Sequence, residues 1–306
     1  MARLNESLIL RLTKHSAIAC TLQLWLAPMV PVNADDRPVL FPRAIVKTED
    51  VAAAIRAEWE LRKHYDVLPQ EGEAWFAFEE SSSAVLVSAP HATAQMREGK
   101  MKFADAGTGA LAISLNRLAK TPVIYTTRES PSDPNFYDDN AYKQKLKEVI
   151  ENRKPKLVLD LHASHWYRPY DIDFGTMNGS SLMGREIWLR RLAENLGRAG
   201  FHDFSEDYFA ATTNQTVTKF VHKLGVPCIQ LEINETWLNL FNEAGIKLAT
   251  GEPADISEDV LRIDHDGAHR FASTLEALVN FVSWIDHGAK ESGSGVRSKH
   301  LTFHPR

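Results

Sequence analysis

A series of short apolar runs, each closed by polar turns and separated by longer stretches of helical spacing, constrains this chain more than any other feature. Ala84-Val-Leu-Val-Ser88, Val123-Ile-Tyr-Thr126, Leu157-Val-Leu-Asp-Leu161, Ile172-Asp-Phe-Gly175 and Cys228-Ile-Gln-Leu-Glu-Ile233 read as strands. Helical spacing is found near 109–118, 141–152, 184–196, 215–224 and 270–285. Strands that alternate with helices pack as an α/β domain, because each helix carries the chain back so that the next strand can lie parallel to the last. Upstream, Val51 to Leu61 alternates with helical period, with Thr48 as the expected cap. Ala74 to Phe78 is expected to form a hairpin with Ala84 to Ser88 across Glu79-Glu80-Ser81-Ser82-Ser83.

Composition narrows the class. Of 306 residues, 44% are hydrophobic and 25% charged, which is enough apolar material for a sizeable core. The net charge of -5 and the lack of a Lys/Arg run argue against a nucleic-acid partner. Two cysteines, Cys20 and Cys228, make neither a disulfide framework nor a Cys-rich metal knuckle, so any metal must be held by His and carboxylates.

The termini carry separate expectations. Residues 1–34 read either as a secretory signal, with Arg3, Arg11 and Lys14 before an apolar stretch and Ala34 at the cleavage position, or as an N-terminal helix. The first reading puts the protein outside the cytoplasm and the second inside it. Residues 35–290 are expected to form a single α/β domain, without a membrane span, and 291–306 a mobile tail. Oligomeric state is not legible.

Open α/β sheets bind ligands beyond the carboxyl ends of their strands. Three such ends carry ionisable residues: Ser88-Ala-Pro-His91, Asp160-Leu-His162-Ala-Ser-His165 and Gln230-Leu-Glu232-Ile-Asn234. Imidazole and carboxylate suit zinc, and a catalytic site uses three protein ligands. His91 and His162 are the candidate ligands, with Asp105 in Lys102-Phe-Ala-Asp105-Ala-Gly as the third and Glu98 as its competitor. The alternative role for Asp105 is a cap on the helix near Gly109. Asp160 is either the carboxylate that orients His162 or a structural strand-end acid. Glu232 lies in the apolar run Val226 to Ile233, where burial raises a carboxyl pKa toward that of a general base; a salt-bridged structural role is the alternative. Ala163-Ser164-His165 lacks the Gly-x-Ser-x-Gly elbow of a serine hydrolase.

Taken in order over Val85 to Asn234, Ser88-Ala-Pro-His91, Asp105, Asp133-Pro-Asn135, Leu159-Asp-Leu-His162, Asp171-Ile-Asp-Phe-Gly175-Thr and Gly225-Val-Pro-Cys-Ile-Gln-Leu-Glu232-Ile resemble the N-formylglutamate amidohydrolase family, which is related in fold to the zinc carboxypeptidases. The resemblance implies a mixed, mostly parallel sheet flanked by helices on both faces. It also implies one zinc ion on His91, Asp105 and His162, and Glu232 as base. The expected activity is hydrolysis of the amide bond of a small N-acyl or N-formyl amino acid by water. A peptidase acting on peptides or cell-wall fragments, and a non-catalytic binding protein, are the rivals.

The chain departs from the family in two places. Phe136 follows Asn135 where family members often carry an arginine for a substrate carboxylate, and the His-x-x-Glu pattern of the carboxypeptidases is absent after His91. Arg128 becomes the candidate for holding a substrate carboxylate or the oxyanion, with Arg97 and Arg168 as alternatives and Lys219 a weaker one.

Overall fold

The computed structural model describes residues 46–242 and 262–287. The segments 1–34 and 291–306 discussed above lie outside the described residues, so the expected signal or leading helix and the expected tail are not addressed by it.

In chain order the strands are β1 (Phe76–Glu79), β2 (Val85–Ala89), β3 (Gln95–Arg97), β4 (Lys100–Lys102), β5 (Val123–Thr126), β6 (Leu157–Ser164), β7 (Ile172–Gly175), β8 (Phe204–Glu206), β9 (Cys228–Asn234), β10 (Phe241–Asn242) and β11 (Arg262–Ile263). The α-helices are α1 (Thr48–Arg62), α2 (Thr108–Ala119), α3 (Ala141–Arg153), α4 (Glu186–Arg198), α5 (Val217–Lys223) and α6 (His265–Asp286). Seven strands form the central sheet in the order β1-β5-β2-β6-β9-β7-β8. β5, β2, β6 and β9 run parallel, β1 and β7 are antiparallel to their neighbours β5 and β9, and β8 runs parallel to β7. This is the mixed, mostly parallel α/β architecture that the sequence predicts.

Period-two alternation decides which residue faces which helical layer. On β6, Leu157, Leu159 and Leu161 enter the core that also holds Leu111 and Leu115 of α2, Leu192 of α4 and Phe271 and Leu278 of α6. Val158 enters the opposite core with Tyr142 and Leu146 of α3 and Val217 and Val221 of α5. The same parity puts Asp160, His162 and Ser164 on the α3/α5 side. The β6–β9 ladder then sets Glu232 beside His162 and Asn234 beside Ser164, at the carboxyl ends of the two central strands.

Two local expectations are corrected, and one element without a sequence signal is added. β1 does not form a hairpin with β2; it pairs with β5, register Phe76 to Thr126, and β2 is enclosed between β5 and β6. The fully buried residues of β2 need parallel partners on both sides, whereas half-buried β1 suits an edge. Thr48 does not cap α1: it is the first helical residue, and the Asp50 carboxylate accepts the Lys47 backbone N–H at 2.9 Å. The segment after His91 forms a β3–β4 hairpin whose turn holds Glu98 and Gly99 at positive φ (51° and 71°).

Candidate metal centre

The site is assembled from two strand ends and one loop. His91 lies just beyond β2, and His162 near the end of β6. The loop carrying Asp105 is fixed by its backbone N–H, which donates to the His91 carbonyl at 2.7 Å, and by the Gly107 N–H, which donates to buried Glu58 of α1 at 3.1 Å. Asp105 therefore reaches the histidines rather than capping α2, whose cap position is Gly107. The competitor Glu98 is exposed in the β3–β4 turn, where its backbone N–H donates to the Tyr137 hydroxyl.

Asp105 Oδ2 lies 3.1 Å from His162 Nδ1 and 3.3 Å from His91 Nδ1, and ligand atoms of the three residues all fall within 4.8 Å of one another. A tetrahedral zinc site with bonds of about 2.0–2.1 Å has edges of about 3.4 Å, so the two measured separations fit the donor set. The imidazole rings meet edge to face, 4.8 Å between centroids.

The second nitrogen of each ring faces a carboxylate, and that of His91 is hydrogen-bonded to it. His91 Nε2 lies 2.9 Å from Asp133 Oδ1, and His162 Nε2 lies 3.4 Å from Asp160 Oδ2. Asp133 is itself held by Arg97, whose Nε and Nη2 approach Asp133 Oδ2 at 2.7 and 2.6 Å, and Asp160 accepts from the Thr218 hydroxyl at 3.2 Å. A carboxylate hydrogen-bonded in this way fixes the tautomer of His91 and leaves its Nδ1 free to bind a cation, whereas His162 Nε2 makes no hydrogen bond among the described residues. Sequence reasoning gives Asp160 this role among alternatives but gives Asp133 none. The signal available was the Asp133-Pro-Asn135 element, in which the Asn135 N–H also donates to Asp133 Oδ1 at 2.7 Å.

The electrostatics follow from packing many charges into a buried space. Burial opposes a charged His91, yet Asp133 and Asp105 outweigh it and raise the imidazole to about 9. His162 is likewise raised against burial by Asp160, Asp105 and Glu232. Burial works against ionised Asp105, but the two histidines hold it down at about 2. Asp133 is also lowered, burial being overcome by His91 and Arg97. A dication at this point would take the place of the imidazole protons.

Glu232 completes the cluster. It is partly exposed among otherwise buried β9 residues, and Gln230 Nε2 donates to its Oε1 at 3.0 Å. Burial pushes its carboxyl up to about 7; His162 and His91 pull against this, while Asp105 and Asp173 add to it. Gln230 escapes sequence reasoning because an amide two residues before an acid carries no recognisable spacing.

Of the cations read from the sequence, Arg128 is bound by Glu73, with Nε and Nη2 at 2.7 and 2.6 Å from one carboxylate oxygen, and its Nη1 is 3.3 Å from His64 Nδ1. Arg97 is taken by Asp133. Lys219 donates to the carbonyls of Thr212 and Asn214. Arg168 stands at the mouth of a separate pocket at the same sheet end, considered below.

No family profile matches the sequence, and no curated protein matches it. Solved structures match in the course of the chain. One is an N-formylglutamate amidohydrolase from Ralstonia eutropha JMP134, 14% identical, covering 69% of this chain and 98% of that one, with a TM-score of 0.47. Another is a glutaminyl cyclase from an Acidobacteriales bacterium, 12% identical, covering 82% and 98%, TM-score 0.45. A third is a metallo-carboxypeptidase from Burkholderia cenocepacia, 13% identical, covering 78% and 70%, TM-score 0.40. Likeness at this level concerns the course of the chain and carries no argument about chemistry.

Proposed function

We propose that the protein is a zinc-dependent hydrolase that cleaves the amide bond of a small N-acyl amino acid or related substrate. The observation that carries this reading is the convergence of two imidazole Nδ1 atoms on one carboxylate oxygen, 3.1 and 3.3 Å away, beside a glutamate raised to about 7. His91, Asp105 and His162 would hold the ion, with Asp133 orienting the His91 ring and the Asp160 carboxylate facing that of His162. Zinc, when bound, supplies Lewis acidity toward a carbonyl and toward water.

Glu232 supplies the proton movements. Its carboxylate takes a proton from the attacking water and returns it to the leaving nitrogen, which a group of pKa near the working pH does best. Gln230 keeps Oε1 fixed, so the other oxygen is free to meet the water. Arg128 is left out of these steps, because Glu73 already neutralises it. No helix among the described residues is long and apolar enough to cross a membrane, and a freely diffusing small molecule or short peptide is the partner this site suits.

The test is a hydrolysis screen of N-formyl and N-acetyl amino acids and short peptides with added zinc, run beside metal analysis. The expected result is close to one equivalent of zinc and release of a free amine from at least one N-acyl amino acid. Protein that takes up no zinc and gains no activity on zinc addition would sink the proposal. Turnover confined to peptides would move it to the peptidase reading, which shares the same four residues.

A further inference from the structure

Beyond Glu232, the sheet end opens into a second feature that the hydrolytic steps do not use. A pocket of about 610 Å³ is lined by Trp166, Arg168, Tyr170, Asp203, Tyr208 and Asn234, among others. It adjoins the catalytic strands directly, since Asn234 is two residues beyond Glu232 on β9, about 7 Å along a strand, and on the same face.

Asn234 also builds the pocket's wall. Its Nδ2 donates to the carbonyls of Trp166 and Tyr170 at 3.3 and 3.1 Å, and the Trp166 N–H donates to Glu235 Oε1 at 3.0 Å. These bonds pin the loop that carries Arg168 over the strand ends.

Arg168 differs from the other two arginines. Arg97 and Arg128 each have a carboxylate within 2.7 Å, whereas among the described residues Arg168 has none. Among the described residues its Nη1 meets only the Tyr208 hydroxyl, at 3.2 Å, and its buried Nε has no hydrogen-bond partner. The guanidinium lies 5.0–5.5 Å from the ring centroids of Tyr167, Tyr208 and Phe209, which orient the planar cation without neutralising it. A half-buried guanidinium with an unused N–H and no counter-ion is a receptor for a carboxylate. Beside it Trp166 and Tyr208 are exposed by 68% and 44%, flat apolar surfaces left open to solvent. The one acid at the rim without a backbone claim on it, Asp203, is exposed, whereas Asp171 is consumed by the N–H groups of His202, Asp203 and Trp237. Tyr170, buried between the two features, feels both charges: burial chiefly raises its phenol, Glu232 adds to the rise and Arg168 opposes it.

We propose that this pocket is the specificity site, in which Arg168 pairs with the carboxylate of an N-acyl amino acid or short peptide while Trp166 and Tyr208 hold its apolar side chain. The identity of the ligand rests on the amide-hydrolase reading; the binding of a carboxylate does not. It relocates the anion anchor from the segment after Asn135 to the loop after β6.

The test is calorimetric binding of N-acetyl-L-phenylalanine and its carboxamide to the zinc-loaded Glu232→Gln protein, which keeps the pocket and suppresses turnover. The acid should bind at least about ten-fold more tightly than the carboxamide, as a charged hydrogen bond implies. Adding Arg168→Met should abolish that preference while changing carboxamide affinity less than about two-fold. Arg168→Lys should restore part of it, and Arg128→Met should leave it in place. Equal binding of acid and amide, no saturable binding of the acid, or a preference that survives Arg168→Met and disappears with Arg128→Met, each overturns the assignment. Retained preference in a protein that takes up no zinc would overturn the hydrolase reading and leave the pocket standing.

Discussion

Glu232 sits where two opposing demands meet. Its ladder neighbour His162 favours the carboxylate, whereas burial and the facing acids favour the neutral acid, and the balance stands at about 7. A general base works only when ionised, so kcat/KM on the best N-acyl substrate should rise with pH through about 7 and level off above it. An acid limb below pH 5 would show that another group is the base. Glu232→Gln should keep zinc and lose about 10²–10⁴ of kcat; near-normal turnover with full zinc would remove Glu232 from the proton path. The same shift has a signature in stability. Because the folded pKa lies above the usual 4.5, stability is full when both states are protonated and declines as pH rises through about 7. In metal-free protein Glu232→Gln should therefore raise Tm at pH 8 and do little at pH 4. Asp133 acts through His91, and Asp133→Asn should weaken zinc binding by about 10–100-fold, measured by chelator competition. An unchanged affinity would make Asp133 a structural acid only.

Legibility at the level of elements follows how much of each element's cause is local. β5 and β7 fall where the apolar runs predict, and β6 and β9 extend past the predicted ends by His162-Ala163-Ser164 and by Asn234, whose pairing is set by the ladder and not by their own propensity. The β1 partner was unreadable because the antiparallel edge contact to β5 passes over β2, β3, β4 and α2 and leaves no trace in a hairpin-like spacing. β3 and β4 were missed because Gln95-Met-Arg97 and Lys100-Met-Lys102 are too short and polar to show alternation, yet their turn is what carries Glu98 away from the site. His91, His162 and Glu232 could be singled out because each lies near the end of an apolar strand, and Arg168 could not be preferred to Arg128, because having no carboxylate partner among the described residues is a property of neighbours. The loop that delivers Asp105 depends on Gly107, at φ 85°, where an added Cβ would come 2.5 Å from the Leu238 carbonyl oxygen. Gly107→Ala should destabilise the fold by about 1–3 kcal/mol and lower zinc affinity together, because a strained backbone there displaces Asp105. Loss of stability in denaturant melts with zinc affinity intact would uncouple the loop from the site.

On the scale of the whole molecule, the three candidate ligands come from segments that the sheet alone holds only at their bases: the end of β2, the loop before α2 and the end of β6. Without an ion the cluster is held by protons, with His91 raised to about 9 and Asp105 lowered to about 2. The raised histidine contributes stability that is complete below its usual 6.5 and is lost as pH rises through about 9, so metal-free protein should weaken across that window. Zinc must displace those protons, so its affinity should climb over the same range. The two trends add. An ion that binds only the folded chain contributes about 2.7 kcal/mol at 100 times its Kd, which for a domain of this size raises Tm by about 5–10 °C. Differential scanning calorimetry of zinc-loaded and chelator-treated protein should therefore show a Tm difference that is larger at pH 8 than at pH 6. His162→Ala should erase the difference at both. A zinc-induced rise that persists in His162→Ala, or one that shrinks as pH rises, would place the ion somewhere other than between His91, Asp105 and His162.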